Sequence, residues 1–505
     1  MTSPSAPQPA PVPQPSPPQS SGPAAPLPEP APSASPPPGC PAHAAGAVRL
    51  YGPGYAADPK ATFAALRARG SIAPVEIAPG VGADLVLGYQ SALEVLRSPE
   101  RFSKDPRNWR ALADGSVPAD SPVVPMMMYR PNALWTDGEA HARYREVITD
   151  SLGQVDSTAL RGYVEESADV LIDRIGARGH ADLLGEYGAL LPLLVFNRLF
   201  GCPADIGDKL VVGMSGIFDA DADSDKANQI LTEGLAELVA LKRREPGADV
   251  TSWMMAHPAQ LGDEEMLHQL ALLMGAGTEP EQNLICNALL LLLSDDRFAG
   301  DLAGGSMPVD EALDEVLWAD PPIANYAVHY ALQDTEVDGV GVVAGRPILV
   351  SFTAANTDPA LSGERRAGNR AHLSWSAGPH TCPAKSPARL ISAVAVEKLL
   401  DRLPDIELDC EVDQLEWRQG PFHRALVALP VVYPPITVTA PAAADETSGA
   451  TAWKTETAPP SPIPPVQAPS SSTPRAATST PRETVSVNAA PRRWWSFLAG
   501  SRRGR

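Results

Sequence analysis

The most reactive setting in the sequence surrounds a single cysteine. Cys382 lies in the segment WSAGPHTCPAKSPAR, residues 375–389, where a loop rich in glycine and proline precedes a helical pattern. The predicted helix N-terminus, together with Lys385 and Arg389, favours the thiolate over the thiol. Gly378 allows the backbone to turn closely past a flat group. A thiolate in this position is a metal ligand or a nucleophile.

Three other interpretations of Cys382 remain open from the residue types alone. A free cysteine is most often a small buried hydrophobic residue. His380 and Cys382 could both bind zinc, although no second pair of ligands stands nearby in the sequence. A cysteine nucleophile with a histidine base is the third interpretation, and no known motif of that kind surrounds the residue.

The elements that must position this loop indicate a mainly α protein with small β-sheets (α+β). A strand-like run at 84–87 leads into an amphipathic helix at about 91–97, and a long, mainly helical region covers 139–296. A helix at 309–318 precedes strands at 326–332 and 341–351, with a turn signal at 344–345. Apolar residues at helical spacing predict a last helix directly after Cys382.

Charge and cysteine usage restrict the functions that the 505-residue chain can have. The formal net charge is −20, which argues against a nucleic-acid-binding surface because phosphate contacts need Lys and Arg. The cysteines are scattered, odd in number and without a CxxC pair, which argues against a disulfide framework and predicts a reducing compartment. They are Cys40, Cys202, Cys286, Cys382 and Cys410.

Neither a secretion signal nor a membrane span is predicted. The first residues lack the basic and apolar regions of a signal peptide. The strongest apolar run, 284–293, has about half of the roughly 20 residues that cross a bilayer. We therefore expect a buried helix at this run and a cytoplasmic protein.

The 55 prolines cluster at the two ends and divide the chain into three parts. Residues 1–47 are nearly all Pro, Ala, Ser and Gly, and such a segment buries too little apolar surface to offset its ordering entropy. It is predicted to be a disordered arm, and the same composition returns at 437–505. The region 48–436 is the predicted globular domain, with no internal repeat or dividing linker.

The loop at Cys382 resembles the haem-binding loop of the cytochrome P-450 family, Phe-Gly-x-Gly-x-His-x-Cys-x-Gly. Trp375, Ser376 and Ala384 replace the Phe, the first Gly and the last Gly. The resemblance implies the family's triangular helical haem domain over most of 48–436, with haem b (iron protoporphyrin IX) as cofactor and Cys382 as its axial thiolate ligand. The matching residues are Gly378, His380, Cys382, Ala388 and Arg389.

Three further positions match the places where this family contacts the haem propionates. His141 and Arg145 resemble its HxxxR helix, and four residues of separation put both on one helix face, within reach of one anion. An isolated pair of this kind is more often a solvated basic face. The resemblance also implies propionate contacts from His380 and from His329, which takes the place of an expected arginine and would bond a carboxylate more weakly.

The segment MGAGTEPE, residues 274–281, resembles the central helix that crosses the distal haem face. Ala276 and Gly277 would leave room for dioxygen beside the iron. Glu279 matches the family's acidic position. The resemblance thus assigns these residues to cofactor binding and to proton delivery.

Pro280 is the first departure from the family pattern. The family usually has a threonine here, whose hydroxyl helps to relay protons. Proline has no hydroxyl and no N–H for the carbonyl of Ala276, so a bulge or kink is predicted. Glu279, Glu281 or ordered water is then expected to serve the relay.

Trp318 is the second departure, because it replaces the arginine of the family's Glu-x-x-Arg pair. Its indole cannot offer Glu315 the two-pronged contact of a guanidinium. This change resembles an actinobacterial branch of the family that lacks the arginine and is encoded beside a small GTPase, a roadblock-type protein and a sensor-kinase-like protein. The replacement donors expected for Glu315 are Arg365, Arg366 and Arg370.

The resemblance implies a haem-thiolate monooxygenase that inserts one oxygen atom from O2 into a small organic substrate. Electrons would come from a separate ferredoxin and reductase, because the domain leaves no segment for a flavin or an iron–sulfur cluster. The alternative, which Pro280 and Trp318 favour, is a catalytically impaired haem sensor or scaffold in a GTPase-linked signalling complex. Peroxide-driven chemistry is a third possibility.

The C-terminal end at 491–505 combines five arginines with an aromatic centre. Such a segment is typical of a docking peptide for an acidic protein or of a peripheral contact with anionic lipid at the inner membrane face. A solvated tail with no binding role is the other interpretation.

Overall fold

The computed structural model describes residues 47–437 apart from 119, 219–223, 296, 299–308 and 362–367. Nearly all of the predicted arm, the tail with its basic-aromatic end, and Arg365 and Arg366 lie outside the described residues. Helix dominates the described part, as the sequence predicts. The helices are α1 Pro53–Ala57, α2 Pro59–Arg67, α3 Tyr89–Arg97, α4 Arg110–Ala113, α5 Val124–Met127, α6 Gly138–Leu152, α7 Ser157–Ile175, α8 Leu190–Leu199, α9 Ala204–Phe218, α10 Ser224–Arg244, α11 Val250–Ala256, α12 Asp263–Ser294, α13 Val309–Ala319, α14 Phe352–Asn356 and α15 Lys385–Arg402.

The strands form one larger sheet, one small sheet and a hairpin. The six-stranded sheet has the order β1-β2-β3-β9-β6-β4, the three-stranded sheet has the order β10-β11-β5, and β7 pairs with β8. The strands are β1 Val48–Arg49, β2 Ile72–Ala78, β3 Val81–Val86, β4 Phe102–Ser103, β5 His180–Asp182, β6 Asn325–Ala331, β7 Thr335–Val337, β8 Val340–Val342, β9 Pro347–Ser351, β10 Glu407–Leu408 and β11 Pro430–Val432.

The larger sheet mixes parallel and antiparallel pairs around a buried centre. β9 runs parallel to β3 and antiparallel to β6, and every residue of β9 is buried. A strand covered on both faces carries a continuous apolar run, which is what this segment has. At the sheet edge, β4 pairs antiparallel with β6, with Phe102 opposite Ala331 and Ser103 opposite Tyr330.

The main helical core forms around α12, the longest helix of the described chain. Residues 281–290 of α12 are all buried, and its apolar side chains pack with those of α7, α13 and α15. Tyr187 adds a buried hydrogen bond to the carbonyl of Ala395 on α15, at 2.7 Å. The prediction that the run 284–293 is a buried helix is confirmed. None of the helices in the described ranges has both the length and the apolar character of a bilayer-spanning segment.

The predicted order of elements agrees with the structure in most places. The helix predicted near 91–97 is α3, and the helix predicted at 309–318 is α13. The predicted strand at 341–351 divides at its turn signal, where Gly345 has a φ of +75°, into the end of β8 and all of β9. The bulge predicted at Pro280 is wrong, because helical geometry continues from Asp263 to Ser294 without a π-type turn. A kink at Pro280 stays a prediction.

Candidate functional site

Cys382 lies on a loop that directly precedes α15 and is held by backbone hydrogen bonds within the loop. A 3-10 turn at Gly378–His380 leads into it, and the Cys382 N–H donates to the carbonyl of Trp375 at 2.8 Å. Gly378 has a φ of +68°, and a Cβ there would lie 2.1 Å from the carbonyl oxygen of Leu96. Glycine is therefore required, and the close neighbour that requires it is the backbone at the end of α3.

Two positions of this loop carry side chains where the resembled motif has glycine. Ser376 has a φ of +60°, in the left-handed region that costs a residue with a Cβ about 1–2 kcal/mol. Ala384, the N-cap residue of α15, has a φ of −103°, which any residue adopts. Only the replacement at Ser376 strains the backbone.

The Cys382 thiol is enclosed, and burial raises its pKa. The Ala384 backbone N–H, Arg145 and Lys385 act in the opposite direction but do not reverse the shift. The prediction that the surrounding protein alone favours the thiolate is therefore wrong. A metal ion bound at this sulfur would act against the shift, because metal ligation by cysteine releases the thiol proton.

Four residues that the sequence assigned to propionate binding converge beside this loop. His141 and Arg145 lie on α6, His329 lies on β6, and His380 lies on the cysteine loop itself. The rings of His141 and His380 have centroids 4.0 Å apart. Arg145 Nη2 donates to the carbonyl of Thr381, which joins α6 to the residue before Cys382.

His141 and His329 are buried, Arg145 and His380 are half-buried, and the charges of the group shift one another's pKa values. The pKa of His141 falls to about 4 because of burial and then because of the positive charges at His380 and Arg145. The pKa of His329 falls well below its usual range, from burial and then from Lys104 and His380. His329 Nδ1 lies 2.5 Å from the carbonyl oxygen of Ala327. His141 Nε2 is buried and has no hydrogen-bond partner within the described residues.

Asp137 and Lys104 belong to the same cluster, and sequence reasoning missed both. Asp137 accepts from the Ser103 hydroxyl at 2.5 Å and from the Lys104 backbone N–H, and its Oδ1 lies 3.8 Å from His380 Nε2. Burial opposes its ionisation, but nearby His380 and the hydrogen bonds from Ser103 and the Lys104 backbone outweigh burial and hold the Asp137 pKa well below its usual range. The sequence signal for Lys104 was its place directly after β4.

Glu279, the predicted acidic residue of α12, is bound in an ion pair that the sequence did not indicate. Its Oε1 lies 2.7 Å from Arg418 Nη1 and also accepts from the Asn283 side chain at 3.2 Å. The other oxygen, Oε2, is buried without a partner among the described residues. The carboxylate is thus held in place by Arg418, with one oxygen still able to accept a hydrogen bond.

Glu281 points to a different neighbour, although it is only two residues further along α12. Ser392 on α15 donates a hydrogen bond of 2.6 Å to Glu281 Oε1. Burial raises the pKa of Glu281 to about 8, and the hydrogen bonds with Ser392 only partly oppose the shift. The structure therefore separates the two predicted relay carboxylates, with Glu281 committed to the helix that follows Cys382.

Ala276 and Gly277 differ in what surrounds them. Ala276 is exposed, so its methyl group borders open space. Gly277 packs tightly against α8, because a Cβ on it would lie 2.4 Å from Cζ of Phe196. A side chain at 277 would therefore have to displace the Phe196 ring, and the role of Gly277 beside dioxygen stays a prediction.

Trp318, for which the resemblance predicted an arginine position, is integrated into the core. Its Nε1 donates to the carbonyl of Asn369 at 2.7 Å, and its ring lies edge-on to His372 at 5.6 Å. Arg370, one of the donors expected for Glu315, instead bonds Asp314 through Nε at 3.0 Å.

Arg389 also binds Asp314, and its Nη2 lies 2.6 Å from Asp310 Oδ1. The acidic side of α13 is thereby tied to α15 through Asp310 and Asp314. The sequence suggested that Arg389 acts on Cys382. In the structure Arg389 is instead paired with the carboxylates of Asp310 and Asp314.

No protein-family model matches the chain. Individual proteins do match over most of its length. It is 30% identical over 382 residues to 2-hydroxy-5-methyl-1-naphthoate 7-hydroxylase of Streptomyces carzinostaticus, covering 72% of this chain and 92% of the relative. It is 31% identical over 393 residues to the cytochrome P450 monooxygenase PikC of Streptomyces venezuelae, covering 75% and 92%.

Solved structures give the same result for the fold. CYP154A1 from Streptomyces coelicolor A3(2) has a TM-score of 0.67 and 28% identity, covering 77% of this chain and all of that one. The myxobacterial cytochrome P450 CYP267B1 in complex with myristic acid has a TM-score of 0.67 and 26% identity, covering 76% and 98%. The mainly helical fold with small mixed sheets is thus shared with these cytochrome P450 structures over nearly their whole length.

Proposed function

The chain belongs to the cytochrome P450 family of haem monooxygenases, and from this premise we propose that Cys382 would bind the haem iron and that the protein inserts one oxygen atom from O2 into a small organic substrate. The observation that carries the proposal is the position of Cys382 at the start of α15, beside a buried cluster of basic side chains. A thiol ligand and an anion-binding cluster side by side are what an iron porphyrin with two propionates requires.

The residues present fit haem b in two independent ways. Cys382 supplies a single sulfur donor on a loop held by its own hydrogen bonds. His141 offers a buried Nε2 that has no partner in the described chain, and a propionate oxygen would satisfy it. His141, Arg145, His329 and His380 would hold the propionates, and the bound haem would supply the redox chemistry of oxygen activation.

The residues of α12 would shape the distal side. Ala276 borders open space with a small side chain, which leaves room for oxygen and substrate. Arg418 holds Glu279 in position, and the free Oε2 can order a water molecule. Because Pro280 has no hydroxyl, we propose that Glu279 would hold such a water and pass protons through it toward the proposed haem pocket.

Electrons would come from separate ferredoxin and reductase partners. Lys385 is exposed near Cys382 and can attract an acidic donor. Arg389 is ion-paired with Asp310 and Asp314, so Lys385 is the better candidate for that role.

The substrate proposed here is a small, largely apolar organic molecule. By their names, relatives act on 2-hydroxy-5-methyl-1-naphthoate and on vitamin D3, both of which are ring compounds. The segment between 181 and 250, with α8, α9 and α10, would supply the pocket walls. We further propose that the protein works in the cytoplasm.

The deciding experiment is a reduced-plus-CO spectrum of the purified full chain expressed with ample haem. Thiolate ligation gives a red-shifted Soret band, which we expect in the wild-type protein and in Cys410→Ser but not in Cys382→Ser. A colourless protein, or an unchanged band in Cys382→Ser, contradicts the proposed ligand. Turnover with a surrogate ferredoxin and reductase then tests catalysis, and persistent inactivity of fully loaded protein would favour a sensory role.

A further inference from the structure

We propose that Lys104 is a further cofactor-binding residue, whose ammonium group binds a carboxylate of the bound haem. This inference rests on the proposed function and adds a residue that neither the cysteine loop nor the α6 pair indicates. It starts from a plain observation, which is that a lysine side chain lies in the protein interior with only 2% of its surface exposed.

The chain position of Lys104 places it next to His329. β4 ends at Ser103, which lies opposite Tyr330 of the antiparallel β6. Lys104 is the residue directly after Ser103, and His329 is the residue directly before Tyr330. The positive charge of Lys104 also lowers the pKa of His141 and of His329, which places all three groups in one neighbourhood.

The Lys104 side chain is not needed to hold the local backbone. Asp137 is bound by the Lys104 backbone N–H, with distances of 3.1 Å and 3.0 Å to its two oxygens, and by the Ser103 hydroxyl at 2.5 Å. Both of these bonds would persist if the ammonium group were absent. The backbone contacts therefore explain the position of Lys104 in the fold. They do not explain why the buried side chain at this position ends in an ammonium group.

The cost of burying this charge points to an anion. Burial lowers the pKa of Lys104 to about 7, and Asp137 only partly offsets the effect. The ammonium lies over the Trp135 ring, 5.5 Å from its centroid, which gives limited compensation. His141, His329 and His380 all feel the Lys104 charge, and Arg145 adds a second cation next to His141 and His380. The cluster therefore holds more groups that can carry a positive charge than Asp137 can balance. A dianionic ligand at this point would satisfy them together.

The test is haem release from the holoprotein to excess apomyoglobin, with Lys104→Met, Lys104→Arg and wild type compared. Loss of one charge-assisted hydrogen bond predicts release about 10- to 100-fold faster from Lys104→Met. Lys104→Arg keeps the charge and should release haem at nearly the wild-type rate. The CO spectrum of Lys104→Met should retain the thiolate band, because Cys382 is unchanged.

Two controls separate a carboxylate contact from a merely structural role. Lys242→Met removes another buried lysine, which pairs with Asp249 at 2.7 Å, and should not accelerate haem release comparably. Apoprotein reconstituted with iron protoporphyrin dimethyl ester lacks free propionates. With that ester, wild type and Lys104→Met should release the porphyrin at equal rates.

Each outcome decides the matter. Equal haem release from wild type and Lys104→Met overturns the inference while leaving Cys382 as ligand. A difference that persists with the dimethyl ester also overturns it, because the effect then comes from packing. A wild-type protein without thiolate-bound haem overturns this inference and the proposed function together.

Discussion

Arg418 Nη1 lies 2.7 Å from Glu279 Oε1 and joins the C-terminal part of the domain to the middle of α12. The Glu279 side chain is 5% exposed, whereas that of Arg418 is 36% exposed. The carboxylate is thus the desolvated partner, and it depends on the guanidinium for compensation of its charge. The position of the acid beside the proposed distal side is therefore set by a residue 139 positions away in the chain.

Arg418→Met should destabilise the fold because it leaves a buried carboxylate unpaired. Breaking a fully buried pair costs about 3–5 kcal/mol, and we expect about 1–3 kcal/mol here because Arg418 is partly exposed. Urea unfolding measures the difference. Adding Glu279→Gln to Arg418→Met should recover part of the loss.

The control for that prediction is Arg243→Met, which breaks the exposed pair with Asp263. Exposed pairs contribute little, so its unfolding free energy should change by less than about 1 kcal/mol. Equal losses in Arg418→Met and Arg243→Met would contradict the importance assigned to burial of Glu279.

Glu281 should make stability fall as pH rises through neutrality. Its pKa in the folded state is raised to about 8 from its ordinary value of 4.5, because burial favours the protonated form. Below the pKa of the unfolded state Glu281 is protonated in both states, and stability does not depend on pH through this group. Between the two pKa values the unfolded state releases the proton and the folded state retains it, so stability is lost progressively.

Glu281→Gln removes this proton linkage and keeps a hydrogen-bond acceptor for Ser392. Relative to wild type, the variant should gain unfolding free energy as pH rises from 5.5 to 7.5. Parallel stability curves for the two proteins over that range, measured by urea unfolding at each pH, would show that Glu281 does not titrate as proposed.

The sequence indicated the fold because its strongest signals are local. The loop around Cys382, the i,i+4 pair His141 and Arg145, and the periodicity of the last helix are each contained within a few turns of chain. The family relationship that these motifs suggested is confirmed by relatives matched over most of their length. The Glu279 and Cys382 roles themselves stay predictions until they are tested.

What the sequence missed depends on contacts between distant segments. Arg418 reaches Glu279, and Lys104 reaches the cluster at His329, through strand pairing and loop packing that no local pattern encodes. The predicted direction of the Cys382 pKa shift was wrong for a related reason. Nearby positive charges were visible in the sequence, whereas the burial that outweighs them is a property of the folded chain.

Ser376→Gly should stabilise the protein, because Ser376 holds a φ of +60°. Relief of left-handed strain is worth about 1–2 kcal/mol, and the greater freedom of glycine in the unfolded chain removes about 0.5–1 kcal/mol of that gain. We therefore expect up to about 1.5 kcal/mol of added stability by urea unfolding. Ala384→Gly, at a φ of −103°, is the matched control and should not stabilise.

Pro280→Thr should increase the yield of oxygenated product per electron consumed. Threonine supplies a hydroxyl for the proton relay, and general acid–base help of this kind is typically worth about 10²–10⁴ in rate.

Pro280→Thr also restores an N–H in the helix interior, so a hydroxyl-free control is required. Pro280→Val restores the N–H without the hydroxyl and has nearly the shape of threonine. Product and reductant consumption, measured with a surrogate ferredoxin and reductase, should show improved coupling for threonine alone. Equal improvement in both variants would assign the effect to the repaired helix, and unchanged coupling in both would mean that Glu279 and ordered water already deliver the protons.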